Sequence, residues 1–338
     1  MGNIKRIIFT RKIKMKIALV TEMELSGKVP PGFTNMRVEF CWAKALGADF
    51  VPYHRILEET YDRVLFVLPK KTRQYDKYPE SYKQRYPETK IGIVQEGPIT
   101  LYEDWHPLAQ EIYFQALRSV DTVFVHNKAD RRYLLTMFPA LRVGIFPTII
   151  DDSLLKDLPP GEFKTRDGIM LSGNMSSWYG GMFSYQMVKD MSDKITIPGS
   201  GRITEEERKW VEETPGLNIS PWCDWFEWMY LLNQYKIGMN FMPTRAAGTF
   251  ALNCAYLGIP CFGFMDLDTQ NQLFPRSMNL TRQSFISPSF QPIPQETIRR
   301  LLTDEGYYNE LSQILSEKAK EFTVEKYRPY FAQLMENM

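Results

Sequence analysis

Short apolar runs of four or five residues recur along the chain, each bounded by turn residues and followed by a stretch with helical spacing. Lys16 to Val20 reads as a buried strand, and a helix is expected from about Asn35 to Ala45, ended by Gly47. Asp49 to Pro52, Val64 to Leu68, Ile91 to Val94, Asp121 to Val125 and Val143 to Phe146 read as further strands, with helices across 108–117 and 127–137, the latter capped by Asn127. Continuous apolar strands separated by helices imply a parallel sheet covered on both faces. Residues 151–167, with Pro159-Pro160-Gly161 and mixed charge, break the pattern as a linker would. A second alternating series follows from Gly168 to Phe264, and 338 residues suit two cores of about 150 residues each. The expected class is α/β, with a Rossmann-like domain over 1–150, a second over 168–315, and a helical tail over 316–338. Two doubly wound halves place a ligand cleft at the carboxyl ends of both sheets, between them.

Composition narrows the chemistry. Lys and Arg number 41 against 40 Asp and Glu, a net charge of +1. A protein living on non-specific phosphate contact would carry a clear basic excess, so a dedicated nucleic-acid coat is not expected. No run approaches the ~18 apolar residues that would span a bilayer. The basic stretch 1–16 reads as a frayed extension or as a membrane-surface arm, giving a cytoplasmic or membrane-peripheral expectation. Four cysteines show no C-x-x-C pair, which suits reduced thiols, and three histidines leave no visible metal site.

The segment from Lys236 to Pro260 carries the most chemistry. A strand ends at Pro243, a loop holds Arg245 and Gly248, and a helix opens at Thr249. The first amides of a helix are unsatisfied and its dipole favours an anion there. Arg245 adds a forked cation suited to phosphate. An ordinary strand-turn-helix with a surface arginine is the alternative. Elsewhere, Glu96 and His126 end the fourth and fifth strands, where both should face the cleft. A surface charge and a plain helix-capping corner are the blander readings of the two.

The order strand, proline, loop, helix, Gly-x-Pro, strand resembles the donor-binding signature of GT-B glycosyltransferases, above all the retaining, glycogen-synthase-like group. Leu252-Asn253-Cys254-Ala255-Tyr256-Leu257-Gly258-Ile259-Pro260-Cys261 is similar to the second half of that signature without a gap. Ile219 to Trp222 resembles the segment that receives the nucleotide base, and Leu171 to Asn174 the first strand and phosphate loop. Ser316 to Met338 resembles a tail that crosses back to the first domain. Where the family carries two glutamates this chain has Arg245 and Asn253, and Asn174 and Tyr179 replace an expected Arg and Lys. The resemblance implies a divergent, metal-independent and retaining hexosyl- or pentosyltransferase, needing no cofactor beyond its nucleotide-sugar substrate. It implies donor contacts at Gly32, Gly173, Asn174, Trp222, Arg245, Gly248, Thr249, Phe250 and Asn253, with Glu96 and His126 catalytic. A nucleotide-sugar epimerase and a catalytically weakened binding subunit of the same fold are the alternatives.

The acceptor is the least constrained part. Lys70, Arg73 and Lys77, interleaved with Tyr75, Tyr78, Tyr82 and Tyr86, form a basic-aromatic stretch on the first domain. It reads as a solvated loop or as an acceptor contact, the acceptor being a glycan, a glycolipid or a modified DNA base.

Overall fold

The computed structural model describes residues 15–35, 37–69, 74–97, 102, 105–159, 161–176, 178–199, 203–281 and 295–338. The first half runs β1 (Ile17–Thr21), α1 (Val38–Leu46), β2 (Asp49–Pro52), β3 (Arg63–Leu68), α2 (Tyr78–Arg85), β4 (Lys90–Gln95), α3 (Pro107–Arg118), β5 (Thr122–Val125), α4 (Lys128–Met137) and β6 (Val143–Ile145). The second runs β7 (Ile169–Leu171), α5 (Gly181–Val188), β8 (Ile195–Ile197), α6 (Glu205–Glu213), β9 (Leu217–Ile219), α7 (Trp225–Leu232), β10 (Ile237–Asn240), α8 (Thr249–Tyr256), β11 (Cys261–Phe264), α9 (Asp268–Leu273) and β12 (Asn279–Leu280). Three helices close the chain: α10 (Gln295–Thr303), α11 (Glu305–Ala319) and α12 (Val324–Glu336).

Both sheets have six parallel strands among the described residues, ordered β2-β1-β3-β4-β5-β6 and β12-β11-β10-β7-β8-β9. Strand order reverses beside β1 in the first sheet and between β7 and β10 in the second. Such switch points leave a crevice beyond the strand ends, because the connections leave toward opposite faces. The apolar runs are continuous because both faces of each strand are covered. In β1, Ala18 and Val20 join a cluster with Phe66, Ile91 and Tyr113 on one side. Ile17 and Leu19 join Trp42, Phe124 and Phe146 on the other.

The tail, expected as one or two long helices over 307–338, forms two, α11 and α12. Residues 316–319 belong to α11, which packs on α8, so closely that a Cβ at Gly258 would lie 2.3 Å from Ser312 Oγ. Thr323 is extended and bridges Ile150, with Ile150 N–H donating to Phe322 O (2.9 Å) and Val324 N–H to Ile150 O (3.0 Å). This break lets α12 turn onto the first half, where Phe331 packs on Phe146 and Tyr330 donates to Ile145 O at 2.8 Å. The segment read as a linker is anchored at its end. Arg166, 2% exposed, donates to Asn233 O, Gly258 O and Tyr308 Oη.

Candidate functional site

A cleft of about 630 Å3 lies where the carboxyl ends of the two sheets face each other. From the first half it is lined by α1, by Glu96 and Gly97 after β4, and by His126 after β5. From the second it is lined by Ser172 after β7, Asn240 at the end of β10 and Met242 after it, the start of α8, and Trp222.

The second-half wall combines an uncapped helix end with side chains that include Trp222, Asn240, Phe250 and Asn253. Gly248 stands at the N-cap of α8 with φ +85°, a left-handed conformation that favours glycine, and a Cβ there would meet Thr269 at 2.8 Å. No side chain caps this helix end, so its first-turn amides and dipole are presented to the cleft. Thr249 and Asn253 are one turn apart on the same face, Asn253 being 3% exposed. Gly173 is required by packing, since a Cβ would overlap Tyr179 at 2.6 Å. Asn174 is buried, and its Oδ1 accepts from Ser176 N and Oγ at 3.2 and 2.7 Å, which shapes the loop after β7.

The first-half wall is made of side chains. His126 is buried, its Nδ1–H donates to Phe146 O at 2.9 Å, and its ring stacks on Trp42 at 5.4 Å. Burial lowers its pKa below the usual 6.5, only partly opposed by the Phe146 carbonyl and the Glu96 carboxylate, so the ring is neutral near pH 7. Glu39 in the first turn of α1 also lines this wall and is buried. Burial raises its pKa, against the pull of Arg37 beside it at 3.1 Å. Sequence reasoning passed over Arg37 and Glu39. The available signal was two charges directly before the apolar run Phe40-Cys41-Trp42-Ala43 of a buried helix.

Of the residues expected from sequence, Glu96, His126, Trp222, Gly248, Thr249, Phe250 and Asn253 line the cleft together. Trp222 sits at the rim, 69% exposed, whereas Trp225 is buried and Trp228 packs on Phe250. Gly32, Gly173, Asn174 and Lys77 are not among the lining residues. Arg245, expected to face phosphate, is engaged by carboxylates in this structure. Its Nε pairs with Asp130 Oδ1 at 2.9 Å and its Nη1 lies 3.7 Å from Asp266 Oδ2, away from the cleft lining. The reason is the buried Asp130, whose carboxylate needs a cation more than the open loop does. Among the described residues Arg37 is then the one Lys or Arg lining the cleft. Asn127 also departs from expectation. It does not cap α4 with its side chain but spans the halves, donating from Nδ2 to Ala246 O (3.1 Å) and accepting from Asp268 N–H (2.9 Å). At the other end of the cleft, Thr34 Oγ1 donates to Asp224 Oδ2 at 2.6 Å.

The basic-aromatic stretch is described only in part. Lys70 and Arg73 lie outside the described residues, and Lys77 is exposed. Tyr82 is fully buried, Tyr75 stacks on Tyr53 at 4.2 Å, and Tyr86 donates to Leu57 O, so these rings pack inward. Lys83 pairs with Asp121 at 3.2 Å. Among the described residues no group of three or more His, Cys, Asp or Glu could hold a metal ion, and no helix is long and apolar enough to cross a membrane.

No protein-family model matches the chain, and no curated protein matches it in sequence. Solved structures match it along its length. HepE of Anabaena, in complex with UDP and glucose, superposes with a TM-score of 0.70 at 11% identity, covering 96% of this chain and 100% of its own. Sucrose-phosphate synthase of Thermosynechococcus elongatus gives 0.66 at 12% identity, covering 96% and 98%. An alpha-glucosyltransferase in complex with UDP and a 13-mer DNA containing a HMU base gives 0.63 at 10% identity, covering 96% and 100%. The chain has the GT-B fold, two Rossmann-like halves facing across a cleft.

Proposed function

We propose that the protein transfers a glycosyl group from a nucleotide-sugar donor to a hydroxyl acceptor, without a bound metal. The observation that carries this reading is the uncapped N-terminus of α8, opening at Gly248 onto a cleft between two switch points. The amides of Thr249 and Phe250 would meet the donor diphosphate and stabilise the charge that develops as it leaves. Asn253, one turn on, would accept a ribose hydroxyl, and Trp222 at the rim would cover the base. Glu96 and His126, on the facing wall, would contact the transferred sugar. Neutral His126, its Nδ1–H given to Phe146 O, can accept a hydrogen bond from a hydroxyl at Nε2 but carries no fixed charge to stabilise an anion. Retention of configuration is supported by the family resemblance of the 252–261 segment. The inward packing of Tyr75 and Tyr82 removes a surface on which bases could stack, which favours a glycan or glycolipid acceptor over DNA.

Calorimetric titration with a panel of nucleoside diphosphates tests the reading. UDP is the first to try, because HepE and the alpha-glucosyltransferase were solved with it. Micromolar binding of one nucleotide is expected, and absence of binding to all would sink the proposal. A catalytically weakened binding subunit is the second reading, favoured by the commitment of Arg245 to Asp130. Nucleotide binding without donor hydrolysis or transfer above background would select it.

A further inference from the structure

Two charged side chains at the start of α1, Arg37 at its N-cap and Glu39 in its first turn, line the cleft and have no part in the reading above. Glu39 is 5% exposed, and its Oε1 accepts from Arg37 Nη2 at 3.1 Å. Its Oε2 is buried with no hydrogen-bond partner. Native structures leave few buried acceptors unpaired, because the lost hydration is not recovered, and one at a cleft wall calls for a ligand. Arg37 is held by this one ion pair, its side chain is 47% exposed, and it is the one Lys or Arg among the described residues on the cleft wall. These two charges on the wall thus compensate each other, a cation leaning on a carboxylate that is itself half satisfied.

We propose that Glu39 holds a hydroxyl of the donor's transferred sugar, and that Arg37 leaves it for the donor's diphosphate. This rests on the nucleotide-sugar reading of the same site. A diphosphate offers a guanidinium several anionic oxygens in place of one carboxylate, so the cation moves to it. The move would strand a buried carboxylate, and a sugar hydroxyl is the group that repairs it, donating one hydrogen bond to Oε2 and filling the place Arg37 gave up. Only a small polar group can reach so deep an atom, which points to the donor sugar at the floor of the cleft. A bulky acceptor would enter from the open side. The exchange also explains how a cleft with one available cation binds a doubly charged leaving group. Diphosphate and sugar are recognised by one linked pair, so a nucleotide without its sugar gains Arg37 but leaves Glu39 exposed to the loss.

The test compares UDP with UDP-glucose in calorimetry on the whole chain, as wild type, Glu39→Gln and Arg37→Ala. The glutamine keeps size and shape, and thermal melts of each variant verify that it is folded. Glu39→Gln is expected to weaken UDP-glucose by about tenfold or more while UDP binds at least as well as to wild type, because Arg37 is released from its partner. Arg37→Ala is expected to weaken both ligands, each by about tenfold. Unchanged UDP-glucose affinity in Glu39→Gln, or an equal fall for both ligands, overturns the inference. Wild type that binds no nucleoside diphosphate or nucleotide sugar overturns the transferase reading and this inference with it, an outcome visible before any variant is made.

Discussion

The two walls of the cleft are built by different means. On the second-half wall the feature suited to an anion is backbone, a left-handed glycine and an uncapped helix end, set among the side chains of Trp222, Phe250 and Asn253. The first-half wall is side chain: the buried carboxyl of Glu39 and the neutral ring of His126, held by packing against Trp42 and by the Phe146 carbonyl. A backbone site is fixed by local conformation, so its amides cannot be turned away from an anion. A side-chain site depends on partners from other elements, and its charges can be traded among them. That difference explains why Arg245, the cation expected at the backbone wall, could be drawn off to Asp130 without dismantling the helix end.

Replacing Arg245 breaks the comparison most severely if the comparison is wrong. Arg245→Ala leaves Asp130, 1% exposed, without its cation, and should cost about 3 kcal/mol of stability in denaturant unfolding. Nucleotide affinity should stay within about threefold of wild type once the fold is intact. A stable variant that no longer binds nucleotide would restore the phosphate role to this arginine. Gly248→Val attacks the backbone wall itself. A β-branched residue at φ +85° is strained and meets Thr269, so the helix end must shift, and nucleotide affinity should fall by roughly 100-fold. Binding that survives this change would remove the α8 terminus from the site.

Asn253→Ala should be milder. One hydrogen bond to ribose is lost, about tenfold in affinity for a ribonucleotide, and much less for the matching 2′,3′-dideoxynucleotide. Equal losses for both ligands would place Asn253 in packing rather than recognition. The smallest effect is a pH dependence from His126. Its folded pKa lies below the unfolded value near 6.5, so between the two the unfolded chain binds more protons. The stability contributed by the neutral ring is therefore present above about pH 6.5 and is lost as the pH falls toward the folded value. The fall of melting temperature over that window should be shallower in His126→Asn. An identical slope in the two proteins would show that some other group titrates there.

Most of the strands and helices were legible because burial on both faces leaves continuous apolar runs, and glycines mark their ends. The position of the break at Thr323 was not legible, since the apolar spacing runs on through it and the proline of this segment, Pro329, lies within α12. A long-range bridge to Ile150 stops the helix, and no local preference could reveal it. The tyrosines of 74–86 were misleading for a related reason. Alternating charge and aromatic residues look alike whether the rings face solvent or, as with Tyr82, a core formed by β3 and β4.

The sequence by itself determined the alternation of strand and helix, the two parallel halves and the glycine-led start of α8, because each follows from local periodicity, a glycine or a helix end. Only the tertiary structure decided which charges face the cleft. Arg245 is claimed by Asp130, 115 positions away, and Asn127 by Ala246 and Asp268 on the other half. Glu39, far from any sequence signal of a site, is buried at the cleft wall beside Arg37. A charge finds its partner by distance in space, and pairing energy rises steeply as water is excluded, so the assignment of ions to a site waits on the packing of the whole chain.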